Sequence, residues 1–282
     1  MRLPATVPLT PRSIPAVAAA AAAGALLVRH ELKARQAAER MAAASLESLL
    51  KAIDANDPDT GAHVRRVAAY ALVLADAAGL AEHEKRSVER VALFHDIGKI
   101  HEALFDIIHD ARALTPAERR AIATHPQRGA DVLAPLYGFY PDLPDGVLAH
   151  HERWDGTGYP RGLKGRRIPL SARVVSIADT FDAITHARRY REGRPADAAR
   201  AMILEGRGTQ FDPELVDLFV LPPVFARVLD TAREVSRWRQ PIRTRRTGED
   251  EEQVPDITFR WRPGRSAARG RPASDRPRRT PR

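Results

Sequence analysis

The amino-acid sequence predicts an all-α protein: a helical bundle with an N-terminal helical segment and a disordered basic C-terminal tail. Apolar residues recur at i, i+3, i+4 and i+7 in one segment after another, the period of helices with one buried face. Alternating strand patterns are scarce, and the best of them, Arg173 to Ile177, fits a helix equally well. Thr115-Pro116-Ala117-Glu118 is a capping box with proline in the first turn, a local signature of a helix start.

Taken in order, the first element is Ile14 to Val28, 15 residues without a charge, eight of them alanine, between Arg12 and Arg29. A membrane-spanning helix needs about 20 apolar residues, and alanine contributes little. An Ala-rich helix and an N-terminal anchor therefore both stay open. As an anchor it would leave the body cytoplasmic, because basic residues follow Val28 closely. Leu46, Leu49, Leu50 and Ile53 mark the next helical stretch, which the polar segment DANDPDTG closes. Val64, Val67, Ala68, Ala71 and Ala75 predict a second helix ending near Gly79, and Val88, Val91, Ala92 and His95 a third. The capping box opens a fourth that ends at His125, and Val147 to His151 form a short fifth. Ser171 to Ala187, Asp197 to Leu204 and Pro213 to Val220 complete the set. This divides the chain into an Ala-rich segment with a linker helix (1–45), a folded domain (46–235) and a tail (236–282).

The formal charge of +9 is uneven. Residues 237–282 hold 14 Arg against 6 Asp/Glu, whereas the other 236 residues hold 31 Lys/Arg against 30 Asp/Glu. The folded part is near neutral, so specific nucleic-acid binding is not expected. The Arg-, Pro- and Gly-rich tail reads as disordered, with at most weak contacts to anionic partners. Cysteine is absent, which excludes disulfides, thiolate zinc sites and a cysteine nucleophile, and agrees with a reducing compartment. Any metal must be held by His and Asp/Glu.

Those residues are present in a pattern. His95 sits in an apolar stripe beside Asp96, where a single histidine usually just packs in the core. His63, His125, the pair His150-His151 and Asp179 recur at intervals of about 25 to 32 residues, each in or beside an apolar helix. A helical bundle brings such groups to one point. Buried imidazoles and carboxylates in that number need mutual pairing or metal.

His63…His95-Asp96…His125…His150-His151…Asp179 resembles the ligand order of the HD superfamily of metal-dependent phosphohydrolases. The stretches LFHDIGKI, HHERWDGTGYP and RVVSIADTFDAIT look like its HD-GYP subgroup, whose Gly-Tyr-Pro corresponds here to Gly158, Tyr159 and Pro160. The resemblance runs from about Leu46 to Leu221. It implies an HD-type helical bundle that hydrolyses cyclic di-GMP to pGpG and/or GMP, with two divalent ions, Fe or Mn. It implies that His63, His95, Asp96 and Asp179 hold one ion, and that Asp96 bridges to a second held by His125, His150 and His151. Nitrogen and oxygen donors suit these metals. Two ions about 3.5–4 Å apart clamp a phosphodiester and lower the pKa of a water between them towards about 7, which makes a bridging hydroxide the nucleophile.

The same resemblance assigns substrate phosphate to Lys99 and Arg188, with Arg191 beyond Tyr190, and makes Asp182 a residue that positions Lys99 or substrate. It links the Gly-Tyr-Pro loop to cyclic di-GMP synthases as partners. Trp154 and Tyr159 stack on guanine or pack; packing is favoured for Trp154. Asp59, one turn before His63, is either a ligand for a third ion or a helix cap, a role Thr60 would fill as well. Two departures bear on the substrate: Arg189 stands where the family has proline, and HEALFDIIHDARALT lacks the family's Ile-Leu-x-Lys-Pro. Two other functions remain in play: an HD phosphohydrolase for another nucleotide, and a non-catalytic module that binds the dinucleotide or docks a synthase.

Overall fold

The structure is a computed structural model that describes residues 14–100, 115–186 and 192–237, side chains of 14–21, 23, 236 and 237 excepted. Among the described residues there are ten α-helices and no strand. Arg173 to Ile177, the best strand pattern, lies inside a helix.

Helix α1 (Ile14–Asn56) is continuous across the boundary drawn at residue 45. Its contact with the body begins late: Leu26, Leu27, Val28 and Leu32 are exposed, whereas Ala42, Leu46 and Ile53 are buried. No helix among the described residues is long and apolar enough to cross a membrane.

Helix α2 (Pro58–Ala77) is the centre of the domain, with an unbroken buried run from Arg66 to Ala71. A helix buried on all sides must be covered all round, and α2 packs against α1, α3, α7 and α10, the last two being Leu170–Thr185 and Pro222–Arg237. Its cap is Asp57, whose carboxylate accepts from the Asp59 N–H at 3.0 Å and the Thr60 hydroxyl at 2.8 Å. Neither Asp59 nor Thr60 is therefore the cap. Gly79, at φ +68°, ends this segment in the left-handed conformation that glycine adopts without strain.

Helix α3 (Glu82–Phe94) stops one residue before His95, and a 3₁₀ turn (Ile97–Ile100) follows. Helix α4 (Pro116–Ile122) opens on the capping box, with Thr115 and Glu118 bonded reciprocally. It does not run to His125. The chain breaks at 123–124 and α5 (His125–Leu133) begins, because Pro126 has no N–H to offer the Ile122 carbonyl. Helices α6 (Asp142–Ala149), α7, α8 (Ala196–Glu205) and α9 (Pro213–Phe219) follow. Helix α10 (Pro222–Arg237) carries a stripe of Val224, Val228, Thr231 and Val235 into the core; no element was predicted there.

The core draws on α1, α2, α3 and every helix from α5 to α10. Its aromatic spine is Tyr70, Phe181, Phe219 and Phe225, in edge-on pairs 5.3 to 6.0 Å apart. Edge-to-face packing adds about 0.5–1.5 kcal/mol per pair beyond burial. The spine holds α2 against α7, the two helices that contribute His63 and Asp179.

Candidate metal centre

Five imidazoles and two carboxylates converge where the ends of α3 and α6, the start of α5, the second turn of α2 and the middle of α7 meet. His63 comes from α2, His95 follows α3, His125 opens α5, His150 and His151 follow α6, and Asp179 lies on α7. The ring centroids of His63–His95, His95–His150, His125–His150 and His125–His151 are 5.3, 5.1, 5.1 and 4.9 Å apart.

The ends of the helices orient the rings. A helix's last turn has carbonyls with no N–H partner. His95 and His150 stand just past such ends, and Nδ1 of each donates to the carbonyl three residues back, Ala92 at 2.8 Å and Val147 at 2.6 Å. At the break before α5, Nδ1 of His125 takes the Ile122 carbonyl that Pro126 cannot, at 2.8 Å. A carbonyl only accepts, so the proton is on Nδ1 and the Nε2 lone pair faces inward. Nδ1 of His63 is held instead by the Asp182 carboxylate at 2.7 Å.

Two triplets result: His63, His95 and Asp179, and His125, His150 and His151, each with donor atoms within 4.8 Å of one another. Asp96 lies between them. Its Oδ1 is 3.4 Å from His125 Nε2, and its Oδ2 is 3.5 and 3.7 Å from His95 and His63 Nε2. Nε2 of His125 and of His150 are 3.1 Å apart, two lone pairs facing each other. His95 Nε2 and Asp96 Oδ1 are buried without a hydrogen-bond partner. Leaving such groups unmatched costs about 1–3 kcal/mol each. A cation in each triplet would relieve all of these contacts, so the residues fit divalent metal.

The charges agree. Burial, with the Lys99 charge, pushes His125 down to about 3, and burial pushes His151 down to about 4. His150 is held well below its usual range by burial and by its histidine neighbours. These three rings are neutral at pH 7, as ligands must be. Burial would lower His63 too, but hydrogen bonds to Asp179 and Asp182 outweigh it and raise the ring to about 9. Burial opposes ionisation of Asp96, yet Lys99 and the imidazoles hold it well below the carboxylate range.

A pH dependence follows. Between about 6.5 and 4 the unfolded chain protonates His125, His150 and His151 and the fold does not, so stability of the metal-free chain falls with acid. Between about 6.5 and 9 the fold keeps a proton on His63 that the unfolded chain has lost, so its contribution falls as pH rises. The melting temperature of metal-free protein is expected to peak near pH 6.5 to 7. A monotonic rise from pH 5 to 9 contradicts the assignment.

Gly98 brings His125 to Asp96. A Cβ at Gly98 would lie 2.1 Å from the His125 carbonyl oxygen and 2.7 Å from the Gly129 nitrogen, both backbone atoms that cannot yield. Gly98→Ala is expected to destabilise the fold by about 1–3 kcal/mol and to weaken metal binding at the His125 triplet. Urea unfolding and metal analysis read the two effects.

Beside the centre, the 152–165 loop is tied down by Glu152, which accepts from the Arg161 and Leu163 N–H groups at 2.7 and 2.9 Å. Gly158 lies so close to the Glu152 and Arg153 backbone that a Cβ would come within 2.3 Å of Arg153 N. Tyr159, joined to Pro160 by a cis peptide, stacks on His151 with centroids 5.0 Å apart, so its ring packs on the centre. Trp154 packs, with the Arg173 guanidinium 5.9 Å over its ring.

Lys99 lies in the 3₁₀ turn and donates to Asp96 Oδ2 at 2.7 Å. Asp182 does not pair with Lys99: it is buried, and His63, Arg66 and His186 take up its carboxylate. Neither triplet includes Asp59, which is exposed in the first turn of α2. Arg188, Arg189, Arg191, the 101–114 segment and the tail beyond 237 lie outside the described residues. Arg66 and Glu152 were not singled out. The signals available were Arg66 one turn after His63, and an acid directly after the histidine pair.

The HD domain family matches residues 47–215. The chain belongs to this family. Among relatives of this HD domain is the cyclic di-GMP phosphodiesterase response regulator RpfG of Xanthomonas campestris pv. campestris, 40% identical over 175 residues, covering 61% of this chain and 46% of that one. Another is the 3'3'-cGAMP-specific phosphodiesterase 2 of Vibrio cholerae, 36% identical over 175 residues, covering 61% of this chain and 33% of that one. The chain thus spans less than half the length of these two relatives. A solved structure of a cyclic GMP-AMP-specific phosphodiesterase of V. cholerae aligns over 69% of this chain and 53% of its own, with a TM-score of 0.50 at 20% identity, and so shares the fold.

Proposed function

We propose that the HD domain is a phosphodiesterase that hydrolyses cyclic di-GMP to pGpG and/or GMP, with two Fe or Mn ions held by His63, His95, Asp96 and Asp179 and by Asp96, His125, His150 and His151. The observation that carries it is the split of Asp96, whose two oxygens face opposite triplets. Divalent ions at such a pair of sites acidify water and neutralise charge on a phosphodiester. The chain's own residues supply the rest. The helix-end carbonyls keep the protons of His95, His125 and His150 on Nδ1, away from the centre. Tyr159 covers one face of His151 and keeps water from it. Lys99 holds a fixed positive charge at the edge, where phosphoryl oxygens would come. Arg188 and Arg191 grip substrate phosphate, and the Gly158-Tyr159-Pro160 loop, held rigid by Glu152, is the surface for a cyclic di-GMP synthase.

A second substrate has its own support, since relatives 36% and 39% identical are named as 3'3'-cGAMP-specific enzymes. Both linkages present the same phosphodiester to the same centre. The test is a hydrolysis assay of the full chain, loaded with Mn²⁺ or Fe²⁺, against each dinucleotide. Turnover of cyclic di-GMP with the higher kcat/KM supports the reading. Preference for 3'3'-cGAMP selects the second substrate, and binding without turnover at full metal occupancy makes the domain a binding module.

A further inference from the structure

His63 is held differently from its neighbours. Backbone carbonyls hold Nδ1 of His95, His125 and His150; a buried charge holds Nδ1 of His63. That charge is Asp182, 1% exposed, and it is shared. Arg66, 7% exposed, donates Nε to Asp182 Oδ1 at 2.7 Å and Nη2 to Oδ2 at 2.8 Å, a two-pronged pair. Nδ1 of His186, past the end of α7, lies 3.0 Å from Oδ1. Asp182 Oδ2 therefore has Arg66 on one side and His63 on the other, and the planar guanidinium leaves the carboxylate one orientation. Arg66 is one helical turn from His63 on α2, and Asp182 is one turn from Asp179 on α7, so the pair also sets how far apart two members of the triplet lie.

We propose that Arg66 and Asp182 are positioning residues for His63, and that they make the two metal pockets unequal: the His63, His95 and Asp179 pocket depends on this buried pair to take up its ion, and the His125, His150 and His151 pocket does not. The inference rests on the metal reading above and deepens it. A buried ion pair is an expensive way to hold a ring that a carbonyl could hold. What it adds is charge: a carboxylate on Nδ1 makes Nε2 a stronger donor, which helps a pocket that has one fewer imidazole than its neighbour. Neither Arg66 nor Asp182 is a member of either triplet, so neither needs to touch metal or substrate.

The test is calorimetric titration of the metal-stripped full chain with Mn²⁺. His150→Ala, which leaves the His63 pocket intact, identifies that pocket's transition. Wild type is expected to show two transitions. Asp182→Asn is expected to weaken the His63-pocket transition by about 10- to 100-fold, the usual effect of losing a ligand's hydrogen-bond partner, and to leave the other within twofold. Asp182→Asn strands Arg66 as a buried charge and can cost folding. The double variant Arg66→Met with Asp182→Leu removes both charges, and its circular dichroism is expected to match wild type with the same selective loss. Arg66→Lys keeps the charge without the fork, and partial recovery is expected. Two transitions unchanged in the Asp182 variants, or both weakened alike, overturn the proposal while the metal reading stands. A wild type that binds no Mn²⁺ overturns the metal reading itself, and this inference with it.

Discussion

Asp96→Ala is expected to leave less than one metal ion per chain and to lower turnover of cyclic di-GMP by more than about 10³-fold, beyond the about 10²–10³ that one electrostatic donor supplies. The two oxygens of Asp96 face different triplets, Oδ1 towards His125 and Oδ2 towards His95 and His63. Each triplet also keeps its own three donors when any one histidine of the other is removed. A single His→Ala change therefore weakens one pocket, and Asp96→Ala weakens both. The loss has an electrostatic part too. Asp96 is the buried negative charge against which Lys99 and three imidazoles are arranged. Without it, two ions in adjacent pockets would repel with nothing between them. Metal analysis of Asp96→Ala beside His63→Ala and His150→Ala is the check. Retention of two ions by Asp96→Ala, or a smaller loss than either histidine variant shows, refutes the bridging role.

The centre was legible because its cost was legible. Seven ionisable groups on apolar helices are too many to bury without pairing, and helical spacing allowed them to meet. Their division into two sets came from the family resemblance rather than from the spacing, since no interval in the chain distinguishes His95 from His125. What holds the rings was hidden for a different reason. His95, His125 and His150 are oriented by backbone carbonyls, which every residue has and no pattern reveals. Arg66 reads as a surface cation, although it follows His63 by one turn and lies in the buried run of α2. Asp182 was placed near Lys99 or substrate because it shares α7 with Asp179, but one turn along that helix points towards α2.

The fold shows the same division. The breaks at DANDPDTG and Gly79 were read correctly, but other residues that interrupt a helix were not. The capping box at Thr115 announced α4, but Pro126, which ends it and frees the Ile122 carbonyl for His125, was passed over. Helix α10 was not predicted: it opens on Pro222-Pro223, which can end a helix as well as start one, and Thr231 interrupts its apolar stripe although it is only 2% exposed. Proline belongs in a helix's first turn as readily as after its end.

Lys99→Ala is expected to keep both metal ions and still slow hydrolysis by about 10²–10³ in kcat, the loss that follows removal of one preorganised charge. The protonated amine has no lone pair for a metal, so its removal takes no donor from either triplet. Lys99 donates to Asp96 Oδ2 at 2.7 Å from a half-buried position, so its charge sits at the edge of the centre rather than free in solvent. Its charge is the leading influence that keeps Asp96 ionised against burial. Without it the acidity of Asp96 falls, but His95, His125 and His63 remain, and the carboxylate stays a ligand. What is lost is positive charge fixed beside the phosphoryl oxygens as negative charge rearranges in the transition state, which lowers kcat more than it raises KM. Arg188→Ala provides the contrast. If Arg188 grips phosphate equally in ground and transition states, KM rises and kcat holds. Steady-state kinetics on both variants, with metal content measured on the same samples, separates the roles. If Lys99→Ala turns over within twofold of an active wild type, Lys99 serves only to pair with Asp96. If it loses metal in proportion to activity, its part is to keep that carboxylate ionised for the ions.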